Sequence, residues 1–218
     1  MAEELGKIEK PSIEEFNKGR KLFFVPLVRK SKSSPNEYKV KVKDYWLQVG
    51  KQLAELENKL GSINKVYHEF VSLSGKEGLK TIKELDGGNY QILKSMVEKG
   101  SYIEAIEEAA TLIEFMDWSR CMASVNSKRV FDTMHNYYVE ASKKRNEFMA
   151  NRLNETLKPN DIGVLFMREN HKIQFPHDID LFYVSPPALD AINRWLRDSL
   201  ARPADKNKVS EEKKKQNS

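Results

Sequence analysis

The chain of 218 residues has a single cysteine, Cys121. No internal disulfide can form from it, which points to a reducing, cytoplasmic setting. No apolar run approaches the roughly 20 residues of a transmembrane helix, so no membrane partner is expected. The opening MAEELGKIEK is too polar for a targeting segment. Glycine-rich phosphate loops are missing: there is neither GxGxxG nor a Walker sequence. Rossmann dinucleotide binding and P-loop nucleotide hydrolysis are therefore not expected. HExxH, CxxC and GxSxG are also missing, which removes the dedicated zinc patterns and the serine-elbow hydrolases.

A strong surplus of one charge is missing as well. The formal net charge is +5. Residues 202–218 supply three of those five, through six basic residues (Arg202, Lys206, Lys208, Lys213, Lys214, Lys215) against three acidic ones (Asp205, Glu211, Glu212). The body is close to neutral, so the pI of about 9.0 is weak evidence for a nucleic-acid groove. Residues 201–218 read as a disordered basic tail, and residues 1–19 as a polar arm. Between them, residues 20–200 form one domain, long enough to bury a core without a structural metal.

What is there is concentrated between residues 140 and 198. Ile162–Met167 is a continuous apolar run, the mark of a strand covered on both faces. Ile179–Val184 is a second run, closed by Pro186-Pro187, which start a helix carrying Leu189, Ile192, Trp195 and Leu196 on one face. RENHKIQFPHD between the runs is short for a crossover helix, so the two strands are an antiparallel pair or carry an irregular link. Upstream, KLFFVPLV reads as a strand that Pro26 places near an edge or bulge. Residues 38–60 read as a helix, Ile63–Leu73 as a strand, and 76–158 as helical throughout, with elements at 76–85, 88–99, 102–123 and 127–157. The fold class expected is α/β, with a small, partly parallel sheet, flanking helices and a helical subdomain inserted at 76–158. An α+β meander is the alternative.

Charged residues on apolar faces mark the candidate site. Arg145 sits in the middle of the face formed by Phe131, Met134, Tyr138, Ala141, Phe148 and Met149. It must snorkel, pair with an acid or bind an anion. Asp117 and Arg120 continue the stripe Ile103, Ile106, Ala110 and Ile113. His68-Glu69 lies in a strand, where alternation turns one of the two inward whichever way it faces. His171 follows the strand Ile162–Met167, where open α/β sheets hold ligands, and His177 lies six residues on. His171, Glu69 and Asp117 are the candidate acid–base residues, and Arg145, Arg120 and His68 the candidate ligand-binding ones. His68, Glu69 and His171 are candidates for a divalent metal, although their spacing matches no dedicated metal motif. The competing reading of the same residues is a purely structural ion-pair network.

Arg145-Asn146-Glu147-Phe148-Met149-Ala150, an apolar strand, and then Asn170-His171 resemble the late motif of the erythromycin-esterase and TraB/Tiki group. In that group an RNxxMA helix precedes a strand ending near a histidine. The resemblance covers about residues 145–171, and the rest of the chain resembles a prokaryotic family with no assigned activity. The likeness implies a hydrolase, metal-dependent in some members. Arg145 would bind an anionic group, His171 would be catalytic or metal-binding, and His68 and Glu69 would take the earlier His/Glu part. The Gly/Glu/His motif the group carries after its first strand is absent, since KLFFVPLV runs into Arg29-Lys30-Ser31.

Three functions follow, in order. The first is a polar pocket for a small anionic ligand or metal, with hydrolysis as its chemistry. The second is a scaffold that forms a homo-oligomer through helices 38–60 and 127–157. The third is RNA association through the tail and Lys143-Lys144-Arg145, which would make binding fall steeply with salt.

Overall fold

The computed structural model describes residues 19–85 and 87–201. All but the first residue of the tail and all but the last residue of the N-terminal arm read from the sequence lie outside the described residues. The elements are β1 (Arg20–Pro26), α1 (Asn36–Leu60), β2 (Lys65–His68), α2 (Gly75–Glu84), α3 (Tyr90–Glu98), β3 (Tyr102–Ile103), α4 (Ala109–Met122), α5 (Lys128–Thr156), β4 (Ile162–Met167), β5 (Ile179–Tyr183) and α6 (Pro187–Ala201). The α/β class is as expected. The sheet, however, is parallel throughout, in the order β3-β2-β4-β1-β5. The antiparallel pair and the α+β meander are thereby excluded. β4 and β5 both flank β1, and the irregular link 168–178 passes over it.

Strand alternation decides which residues meet which helices. Phe23, Val25, Val66, Val164 and Phe166 face α1, α2, α3 and α6, and pack on Tyr45, Trp46, Leu53, Ile82, Leu93 and Leu189. Leu22, Phe24, Tyr67, Leu165 and Met167 face the other way and pack on Ile106, Met149, Leu153 and Ile173. Both faces are covered, which is why Leu22 to Pro26 of β1 and all of β4 are apolar without interruption. Connections running toward β3 lie on the first face and those running back lie on the second, as uniformly right-handed crossovers require. The loop leaving β4 therefore departs by the opposite face from the loops leaving its neighbours β1 and β2. That arrangement opens a crevice at the carboxyl ends of the strands.

Three expectations need correction. β1 is interior rather than near an edge, because Pro26 is its last residue. The Pro26 carbonyl is used instead, accepting the Tyr45 hydroxyl at 2.5 Å. Residues 76–158 are not a helical insertion, since Tyr102–Ile103 pairs with Lys65–Val66 as an edge strand. The helix expected at 102–123 accordingly starts only at Ala109. Arg20, at the start of β1, binds Asp178 and donates to the carbonyls of Asn154 and Leu157, holding the end of α5 onto the sheet. Among the described residues no helix is long and apolar enough to cross a membrane.

Candidate functional site

Glu69 follows the last residue of β2 and faces α5, because Val66 and His68 take the other face. Its side chain is 2% exposed. Burial of a carboxylate demands partners, and three donors supply them. Arg168, the first residue after β4, donates from Nε at 2.9 Å and lies with Nη2 at 2.8 Å from Oε1. The Arg168 backbone N–H reaches Oε2 at 3.1 Å. Arg145 adds Nη2 at 3.2 Å.

Arg145 sits in the buried stripe of α5 with Ala141, Met149 and Leu153. Its main partner is Glu107, from the segment between β3 and α4, which it engages through Nε at 2.9 Å and through Nη2. Glu107 also accepts the Phe70 N–H at 3.0 Å. Burial opposes the Arg145 charge, and the carboxylates of Glu107 and Glu69 more than offset it, so its pKa is raised.

Phe70 is a non-glycine residue at φ 70°. For a bulky side chain this region costs about 1–3 kcal/mol. The conformation aims the ring at guanidinium groups: Arg29, Arg145 and Arg168 lie 5.5, 5.2 and 5.4 Å from its centroid. Arg145 is also 4.6 Å from the Phe115 ring. Such contacts help hold charge in a dry setting.

Above this network is a cavity of about 600 Å³. Glu69, Arg145 and Arg168 line its floor, α5 supplies one wall, and His171 with Lys172 supplies another. Phe115, Tyr138, Val139, Ala150 and Met167 give it an apolar side. His171 is half-buried against Phe24 and Phe175. Its Nδ1 accepts the Ile173 N–H at 3.2 Å, which selects the neutral tautomer with the proton on Nε2. Burial lowers its pKa, and the negative charge of Glu69 works in the other direction.

Of the residues expected from sequence, Glu69, Arg145 and His171 meet at this cavity. His68 does not. It lies on the opposite face, where Nδ1 donates to the Glu69 carbonyl at 2.5 Å and Nε2 accepts from Asn89 Nδ2 at 3.0 Å. Burial pushes its pKa down to about 4. Asp117 and Arg120 pair with each other at 3.2 Å, with side chains 60% and 69% exposed, and are not part of the cavity. They left the site because the helix that carries them begins at Ala109 and has its buried side on Leu112 and Phe115. The proposed metal donors are therefore split between two faces, and both Glu69 oxygens are engaged by arginine. Among the described residues no group of three or more His, Cys, Asp and Glu side chains is placed to hold a metal. Of Lys143-Lys144-Arg145, Arg145 is buried, Lys143 lies 3.8 Å from Glu147, and Lys144 lies 2.9 Å from Glu140.

Glu107, Arg168 and Phe70 are the participants that sequence reasoning missed. Arg168 carried a signal, as the first polar residue after a doubly buried parallel strand. Glu107 carried none while its segment read as helix. No protein-family model, no curated protein and no solved structure matches the chain.

Proposed function

We propose that the protein binds a small anionic ligand in the cavity above Glu69. The observation that carries this reading is the state of Arg168. Its side chain is 43% exposed and lines the cavity, while Nε and Nη2 are tied to a buried carboxylate. A guanidinium fixed along one edge is pre-organised, and Nη1 carries none of these bonds. His171 Nε2–H is a second donor in the same wall.

Binding is proposed ahead of hydrolysis. A general base needs an accessible lone pair, yet His171 Nδ1 already accepts from Ile173 and both Glu69 oxygens accept from arginine. The likeness of residues 145–171 to the erythromycin-esterase and TraB/Tiki group supports the anion half of the reading, since Arg145 and His171 both line the cavity.

The test is a titration of the full chain with acetate, benzoate and inorganic phosphate up to about 10 mM, followed by amide and side-chain NMR shifts. At least one anion is expected to move the Arg168, His171 and Lys172 signals together, and Arg168→Met is expected to abolish the response. An absence of shifts with all three anions overturns the reading.

A second reading rests on the outer half of the α4–α5 hairpin. Between Met116 and Glu140 no residue is buried, while Val130, Phe131, Tyr137 and Val139 are each more than 40% exposed. We propose a second copy of the chain as the occupant of this face. The hairpin's exposed charges are mixed in sign, with Asp117, Asp132 and Glu140 against Arg120, Lys128 and Arg129, so two copies do not repel. Light scattering checks it: the native chain is expected as a dimer and Phe131→Asp as a monomer. A native chain that stays monomeric at high concentration removes this reading.

A further inference from the structure

We infer that the ligand is a carboxylate carried on an apolar body, an inference that rests on the reading of the cavity as an anion site. Charge sets the head group. Among the lining residues and their direct ion-pair partners, Arg145, Arg168 and Lys172 stand against Glu69 and Glu107. Lys143 and Glu147 are set aside because they face each other at 3.8 Å. One positive charge remains, and a monoanion cancels it. A phosphate dianion would leave a net negative charge in a half-dry cavity, which is costly.

Backbone geometry points the same way. Phosphate sites commonly rest on a helix N-terminus, whose first N–H groups have no partner inside the helix. Here α5 spans Lys128–Thr156, and it lines the cavity from His135 to Ala150. That is the middle of the helix, where every N–H is already used within it. The donors left for a ligand are side-chain groups, among them the Arg168 guanidinium, the His171 imidazole and the Lys172 ammonium.

Part of the lining is apolar. Phe115 and Tyr138 pack with ring centroids 5.1 Å apart, and Val139, Ala150 and Met167 extend the surface. A volume of about 600 Å³ is ample for a head group and a body of ordinary ligand size. A bare inorganic anion would leave this surface uncovered. An alkyl or an aryl body satisfies it equally well, so the shared chemistry is the carboxylate with an apolar substituent.

The experiment is calorimetry on the full chain with acetate, octanoate, octanol, phenylacetate and inorganic phosphate. Each methylene added between acetate and octanoate is expected to tighten binding about fourfold until the apolar side is filled. Octanol, with the same body and no charge, is expected to bind at least about tenfold more weakly than octanoate. Arg168→Met removes the advantage of octanoate over octanol. Val139→Ser, at a position 49% exposed and so tolerant of change, removes apolar surface without adding charge, so it weakens octanoate more than acetate. Phenylacetate binding well in place of octanoate supports the inference and identifies the body as aromatic. Octanol matching octanoate, or phosphate exceeding both carboxylates, overturns the inference; in the phosphate case the anion reading still stands. If no anion binds at all, the anion reading fails and the inference fails with it.

Discussion

His68 and Glu69 are consecutive residues buried on opposite faces of one sheet, and they meet burial in opposite ways. His68 gives up its charge. Its surroundings offer a carbonyl and an amide, so the neutral ring is the stable form, and burial holds its pKa down at about 4. Glu69 is instead surrounded by cations and donors, since two guanidinium groups and a backbone N–H reach it. The difference lies in which elements cover each face. On the His68 side Asn89 comes from the turn before α3, whereas on the Glu69 side Arg145 comes from α5 and Arg168 from the end of β4. One face seals a polar side chain within the core, and the other builds a charged floor under an open cavity.

The sharpest way to break the comparison is to remove a cation from the Glu69 side. Arg145→Ala strands Glu107, whose side chain is 0% exposed, and is expected to cost about 3–5 kcal/mol in urea unfolding. Pairing Arg145→Met with Glu107→Gln is expected to recover most of that loss, since no uncompensated charge remains. Equal losses in the single and double variants would show that packing rather than charge dominates at this position.

Next comes pH, which acts on the His68 side. The folded pKa of about 4 lies below the ordinary value of 6.5, so between these two values the unfolded chain binds more protons. Stability is therefore full above about pH 6.5 and falls as the pH is lowered toward 4, by up to about 3 kcal/mol. His171, whose pKa is also lowered, adds a smaller loss of the same sign. Urea midpoints measured across this range are expected to flatten in His68→Gln. An unchanged slope would assign the acid lability to other groups.

Legibility in the sequence followed the same division. Elements with dense apolar spacing were readable to within a residue or two: β4 as Ile162–Met167, α5 as Lys128–Thr156, and α1 ending at Leu60. Arg145 stood out because it interrupts such a pattern. β3 was not readable, since two residues, Tyr102 and Ile103, cannot establish a period of two. Missing β3 put Glu107 on an imagined helix and carried Asp117 toward a site it does not reach. The position of β1 was misjudged from Pro26 because a proline's meaning depends on which ladder bond it would have supplied. Charge pairing across distant segments leaves no local trace, so Glu107 and Arg168 had to come from coordinates.

Phe70 sharpens the comparison by isolating the backbone. It is the turn residue directly after Glu69, and it holds φ 70° with a ring set among arginines. Phe70→Ala loses the ring and keeps the strain, whereas Phe70→Gly loses the ring and relieves it. The glycine variant is expected to be the more stable of the two by about 1 kcal/mol. Equal stabilities would mean that the turn relaxes without the ring.

The smallest effect belongs to Asp117, the acid that helical spacing nominated for the site. It differs from Glu69 in exposure rather than in chemistry: both are carboxylates paired with arginine, one at 60% and one at 2% side-chain exposure. Water screens the Asp117–Arg120 pair and competes for both partners, so Asp117→Asn is expected to change stability by less than about 0.5 kcal/mol. Glu69→Gln, with Arg145 and Arg168 left short of one negative charge, is expected to cost several times as much. Anion binding separates them further. Asp117→Asn leaves it unaltered, because the pair lies outside the cavity, while Glu69→Gln loosens the guanidinium that the proposed ligand meets. Thermal midpoints and anion titrations on these two variants alone would show whether an acid–arginine pair matters here through its identity or through the water it excludes.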